Sequence, residues 1–116
     1  MTWVRITSLS PSDFDGTKLK RSGTVAALFT AYWCPFCREF APVFKSAKEW
    51  NEVRKAIVDL SDQENPLWET FDVQVVPTII AFRDGLVISR KDGMLGRGLP
   101  VDAMAEVMKE ITVTRA

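Results

Sequence analysis

Trp33-Cys34-Pro35-Phe36-Cys37 decides how this chain is read. The stretch holds the chain's 2 cysteines, three positions apart, with a proline between them and a tryptophan in front. An amphipathic segment follows at once. Phe36, Phe40, Val43, Ala47 and Trp50 recur at spacings of four and three, and Arg38, Glu39, Lys45, Lys48 and Glu49 fall largely off that stripe. The pattern predicts a helix from Cys34 to about Trp50, kinked at Pro42, where one backbone hydrogen bond is lost. At the start of such a helix the Cys34 sulfur meets unpaired N–H groups and the positive end of the dipole, which favour thiolate over thiol. Thiolate is the nucleophile in disulfide exchange. Cys37, one turn on, is within reach of a mixed disulfide at Cys34, so the two cysteines read as a redox pair.

Upstream, Ser22-Gly23 punctuates and Thr24–Thr30 runs apolar without alternation, as a strand buried on both faces does. Before it, Leu9-Ser10-Pro11-Ser12-Asp13-Phe14 has the form of a helix start. Ser10 is the cap, Pro11 the first helical residue, and Leu9 with Phe14 a hydrophobic staple. Gly16 keeps that helix short or irregular. Trp3–Ile6 alternates as a first strand would.

Downstream, Ala56–Leu60 reads as a strand, and Asn65-Pro66 caps a short helix through Phe71. Pro77–Arg83 and Leu86–Arg90 are strands joined by a tight Asp84-Gly85 turn. Pro100 opens a last helix with Val101, Met104, Met108 and Ile111 on one side. The order β-α-β-α-β-α-β-β-α predicts an α/β fold, a mixed sheet of four to five strands with helices on both faces and the hairpin 77–90 as its antiparallel edge.

With 116 residues and no linker-like run, residues 1–116 are expected to form one domain. Fifteen basic and fifteen acidic side chains balance, so no global field draws the chain to nucleic acid or anionic membrane. The chain has no histidine, which removes the commonest general base and metal ligand. Two sulfurs fall short of the roughly four ligands of a structural zinc site, so no metal is expected. No apolar run approaches the ~20 residues of a membrane helix, and Met1–Thr7 lacks the basic region and apolar run of a signal peptide. A soluble, cytoplasmic protein is the expectation.

In its motifs the chain resembles the thioredoxin superfamily. Phe29-Thr-Ala-Tyr-Trp-Cys-Pro-Phe-Cys37 is similar to the family's strand–loop–helix active site, and Pro42 sits where thioredoxins carry a helix-kinking proline. Phe71-Asp-Val-Gln-Val-Val-Pro-Thr78 resembles the segment presenting a cis-proline beside the disulfide. Asp84-Gly85 and Lys91-Asp-Gly93 match the hairpin turn and the glycine at the active-site rim. The resemblance implies a thioredoxin fold, Cys34 as exposed attacking thiolate and Cys37 as resolving thiol. It also implies a cis Pro77 that sets the Val76 backbone beside Cys34 to pair with an extended substrate, with Trp33 and Gly93 flanking the groove. In three places the chain departs from the family. Pro35-Phe36 resembles the glutaredoxin dipeptide, Leu28 stands where thioredoxins bury an acid, and Val58 aligns with the lysine that pairs with that acid.

The function implied is a monomeric thiol–disulfide oxidoreductase acting on protein disulfides. It needs no bound cofactor and takes electrons from a reductase or glutathione. The competing readings are a glutaredoxin-like enzyme acting on glutathione mixed disulfides, a cluster bridged between two chains, and a non-catalytic redox-sensing or interaction module. Trp50 and Trp68 are expected to serve packing, and Phe36, Phe40 and Phe44 to be core or edge aromatics.

Overall fold

The computed structural model describes residues 6–46, 53–100 and 102–113. The elements run β1 (Thr7–Leu9), a 3-10 turn (Pro11–Asp13), β2 (Phe14–Asp15), β3 (Lys18–Leu19), β4 (Thr24–Thr30), α1 (Pro35–Ser46), β5 (Val53–Asp59), α2 (Leu67–Thr70), β6 (Thr78–Arg83), β7 (Leu86–Lys91) and α3 (Ala103–Val113). Five strands form one mixed sheet of order β1-β5-β4-β6-β7, and β2 and β3 form a separate two-stranded hairpin. The pairs β1–β5 and β5–β4 are parallel, while β4–β6 and β6–β7 are antiparallel.

β4 is the middle strand, and its continuous apolar run has the cause expected of it. Val25, Ala27 and Phe29 point into a core closed by Leu67 and Phe71 of the α2 region. Ala26 and Leu28 point into a second core closed by Phe40 and Phe44 of α1 and by Ala103, Met104, Val107, Met108 and Ile111 of α3. Phe14, Phe29, Phe71 and Phe82 meet edge-on or tilted in the first core, with centroids 5.2 to 5.9 Å apart, a geometry that suits the ring quadrupoles.

Several expectations are corrected. The segment after Ser10 makes one 3-10 turn, in which the Ser10 N–H donates to Asp13 Oδ2 at 2.8 Å and Asp13 N–H to Ser10 O at 2.9 Å. It then turns at Gly16 (φ +60°) into the β2–β3 hairpin, whose strands are too short to leave a periodic trace. Of the expected strand Trp3–Ile6 only Ile6 lies within the described residues, and the strand begins at Thr7. β5 starts at Val53, three residues before its expected start. α3 starts at Ala103, with Pro100 O accepting from its first N–H at 3.0 Å, and Val101 lies outside the described residues. On α1 the inward residues are Cys37, Phe40 and Phe44, whereas Phe36 and Val43 are half-buried at its flanks. Ala47 and Trp50 lie outside the described residues. The hairpin turn is as expected, with Asp84 (φ +50°) and Gly85 (φ +90°) both left-handed.

Candidate active site

The middle strand ends at Thr30, and the chain turns through Ala31–Trp33 into α1. The Cys34 N–H donates to Ala31 O at 3.2 Å, and Cys34 O accepts the first helical bond from Arg38 N–H at 3.1 Å. Cys34 therefore caps the helix. Pro35 follows it as the first helical residue, where a missing N–H costs nothing. The Cys37 N–H donates to Cys34 Sγ at 3.3 Å, so sulfur takes the place a serine or aspartate oxygen has at an ordinary cap. Such a contact strengthens when the acceptor carries charge.

Both cysteines are free thiols. Cys34, expected to be exposed, is buried at 7% exposure because the cis-proline turn and the start of α1 close over it, and Cys37 is buried more deeply at 1%. Burial pushes the Cys37 thiol up to about 11, neighbouring Cys34 adds to the rise, and contacts to the Thr30 side chain and the Ala31 backbone oppose it.

Opposite Cys34 lies the turn before β6. The Val76-Pro77 bond is cis, as expected, and Val76 O accepts from Cys34 Sγ at 3.4 Å. This turn is fixed from three sides. Thr78 Oγ1 donates to Val75 O at 2.7 Å. The Arg90 guanidinium donates to the carbonyls of Phe71 and Asp72 while pairing with Asp92 at 2.7 Å. Gly93 lies directly behind: a Cβ there would stand 2.4 Å from Pro77 O. The backbone that Gly93 admits is thus this chain's own, in addition to any substrate at the rim.

The other rim is aromatic. Trp33 is 43% exposed, stacks on Trp68 with centroids 6.3 Å apart and planes at 11°, and donates Nε1–H to Ser61 O at 2.8 Å. Trp68, expected only to pack, therefore supports the site, and its own Nε1–H is held by Leu60 O at 3.1 Å and Asp62 O at 3.2 Å. Ser61 accepts from Tyr32 N–H at 2.9 Å and donates to the Asp59 carboxylate. Phe36 lies under the turn Met94–Gly98, where a Cβ on Gly98 would come within 2.7 Å of Phe36 Cβ. That turn leaves Met94 57% and Leu95 89% exposed beside the cysteines' helix. The sequence reading missed both, and two large apolar residues in a glycine-rich stretch were the available signal.

Leu28 is fully buried, but strand register sets Ile57 beside it, whereas Val58 pairs with Phe29 and faces the opposite core. A lysine is nevertheless buried on the Leu28 side. Lys55 is 1% exposed, its Nζ donates to Lys45 O at 3.0 Å, and it lies 6.0 Å from the Phe44 ring centroid. Carbonyls in the last turn of a helix are where a cation is favoured.

The thioredoxin family model matches residues 5–110. Thioredoxins of Staphylococcus aureus strains Mu50, MW2 and N315 are each 32% identical to this chain over 106 residues, covering 90% of it and 96% of their own length. The crystal structure of thioredoxin f from spinach chloroplast superposes with a TM-score of 0.71 over the whole of both chains at 20% identity.

Proposed function

The chain belongs to the thioredoxin family and is a thiol–disulfide oxidoreductase, and on that premise we propose that Cys34 attacks and Cys37 resolves. One observation carries the assignment: the Cys34 sulfur receives a helix N-terminal N–H, and of the two buried cysteines Cys37 is the more deeply buried. Cys34 thiolate attacks one sulfur of a substrate disulfide. The substrate S–S bond breaks, one substrate thiolate leaves, and a mixed disulfide forms at Cys34. Cys37 gives up its proton and attacks Cys34 Sγ, releasing the second substrate thiolate and closing Cys34–Cys37. Two electrons have then passed to the substrate.

Thioredoxins act on protein disulfides and are reduced by a reductase. For this chain we assign an extended segment flanking the substrate disulfide to the Val76 backbone. Trp33, Pro35, Phe36 and Gly93 shape the groove, and a reductase or glutathione supplies electrons. The 116 residues act as one monomeric domain in a reducing cytoplasm, and no cofactor, metal, membrane or nucleic acid enters the reaction. Among the described residues no helix is long and apolar enough to cross a membrane.

Substitution of each cysteine tests the roles. Cys34→Ser is expected to abolish protein-disulfide reduction, and Cys37→Ser to accumulate the mixed disulfide, detected as a mass adduct on Cys34. Full activity in Cys34→Ser sinks the assignment. Undiminished turnover of glutathione mixed disulfides by Cys37→Ser moves the reading to the glutaredoxin type.

A further inference from the structure

We propose that the chain binds a phosphate-bearing anion in a basic cleft at the end of the sheet opposite the cysteines. The inference is independent of the roles assigned to Cys34 and Cys37.

β4 runs from Thr24 to Thr30, and it is the Thr30 end that leads into the redox loop. Six residue steps of about 3.3 Å put the Thr24 end roughly 20 Å away. There a cleft of about 570 Å³ opens between the sheet and the segment that leaves the β2–β3 hairpin. Its volume lies within the range of small-molecule sites, roughly 300–1,000 Å³.

Strand register builds the sheet-side wall. Thr7 pairs with Ala56, and Val25 with Arg54. Alternation puts Arg54 in the row of Ala56 and Val58, and Thr7 in the row of Leu9, so all of them lie on the face of the first core. Leu9, Val25 and Ala56 are buried, while Arg54 is exposed at the margin. From the other side the chain leaving the hairpin brings Lys20, Arg21 and Ser22, all exposed.

Charge is segregated in this cleft. Among the described residues that line it there is no carboxylate, and Lys20, Arg21 and Arg54 bring three cations to it. A fourth lining cation, Lys55, sends its Nζ to the opposite face, where it donates to Lys45 O at 3.0 Å. Two acids near the segment are already engaged. Asp84 accepts from Gly23 N–H at 2.8 Å, and Asp13 accepts from Ser10 N–H at 2.8 Å. Asp13 also meets Arg21 at 3.4 Å, a long contact between partly exposed side chains. Among the described residues Lys20 and Arg54 enter no ion pair.

In a chain whose charges balance overall, cations of one sign around a concavity repel one another and concentrate counter-ions there. The two guanidinium groups offer planar forks that match phosphate oxygens, and the Lys20 ammonium adds a point charge. The hydroxyls of Thr7 and Ser22 are further donors at the same cleft. Three cations call for an anion of at least two charges, which selects a diphosphate or a pair of phosphate groups.

The test is titration of the full chain with sodium pyrophosphate at fixed ionic strength, followed by amide chemical shifts. Saturable shifts are expected at residues 20–23 and 54–56, with the amides of Cys34 and Val76 unmoved. Arg54→Ala and Lys20→Ala are each expected to weaken the fitted affinity roughly threefold to fivefold, as loss of a partly exposed ion pair does. The double variant should weaken it roughly tenfold or more. Lys109→Ala, which removes an exposed cation from α3, should leave the affinity as it is. Shifts that do not saturate, equal weakening by Lys109→Ala, or citrate binding as tightly as pyrophosphate overturns the proposal. Should a cleft variant fail to fold, the melting temperature of the wild type decides. Pyrophosphate is expected to raise it above a sodium chloride control of equal ionic strength, and an unchanged value overturns the proposal.

Discussion

At the scale of single residues, the site depends on how closely backbone and sulfur approach. Gly93 is the sharpest case. An added Cβ would lie 2.4 Å from Pro77 O, a backbone atom that cannot swing aside as a side chain does. Gly93→Ala is therefore expected to cost about 1–3 kcal/mol, the usual range for overpacking, read as a lowered denaturant midpoint. It should also slow reduction of protein disulfides by displacing Pro77 and Val76 from Cys34. A wild-type midpoint would show that the turn yields freely. Gly93 was legible as a rim glycine. The reason for it was not, because the atom it avoids is sixteen residues away in the chain.

At the scale of elements, α1 serves both as the carrier of the cysteines and as the lid of one core. Phe44 is fully buried, packed with the α3 residues on the face below Leu28. Phe44→Ala is expected to cost about 3–5 kcal/mol in equilibrium unfolding, as other buried Phe truncations do. A loss below 1 kcal/mol would place Phe44 outside the core that holds α1 down. The amphipathic pattern located this helix and its inward Phe40, but it put the half-buried Phe36 and Val43 on the same stripe and left out Cys37 and Phe44. Phenylalanine occurs on both sides of the helix, and periodicity cannot rank two apolar flanks. The turn Met94–Gly98, folding back over Phe36, relieves that side from the need to be core. The β2–β3 hairpin escaped notice for a different reason: two residues per strand leave no alternation to read.

At the scale of the whole molecule, the five-stranded sheet brings Cys34, the Val76 carbonyl and Trp33 to one end of the central strands. The potential of the Cys34–Cys37 couple is a property of that assembly. The Pro35-Phe36 dipeptide points to a glutaredoxin-like value, expected at roughly −230 to −200 mV by titration in glutathione buffer with thiol trapping. A value near about −270 mV would mean that the surrounding structure, not the dipeptide, sets the poise.

What the sequence determined by itself is what local chemistry determines. The cysteine spacing, the proline after Cys34, the doubly buried run Thr24–Thr30 and the Asp84-Gly85 turn each act within a few residues, and together with the Val-Pro-Thr segment they fixed the family. Only the tertiary structure decided which groups face Cys37 and Pro77. Strand register sets Ile57, rather than Val58, beside Leu28. The end of α1 lies over Lys55 and lets that cation be buried. Trp68 comes to stack behind Trp33, and the Val76 carbonyl comes to accept from Cys34. These pairings join residues far apart in the chain, and their partners are chosen by packing the two faces of one sheet.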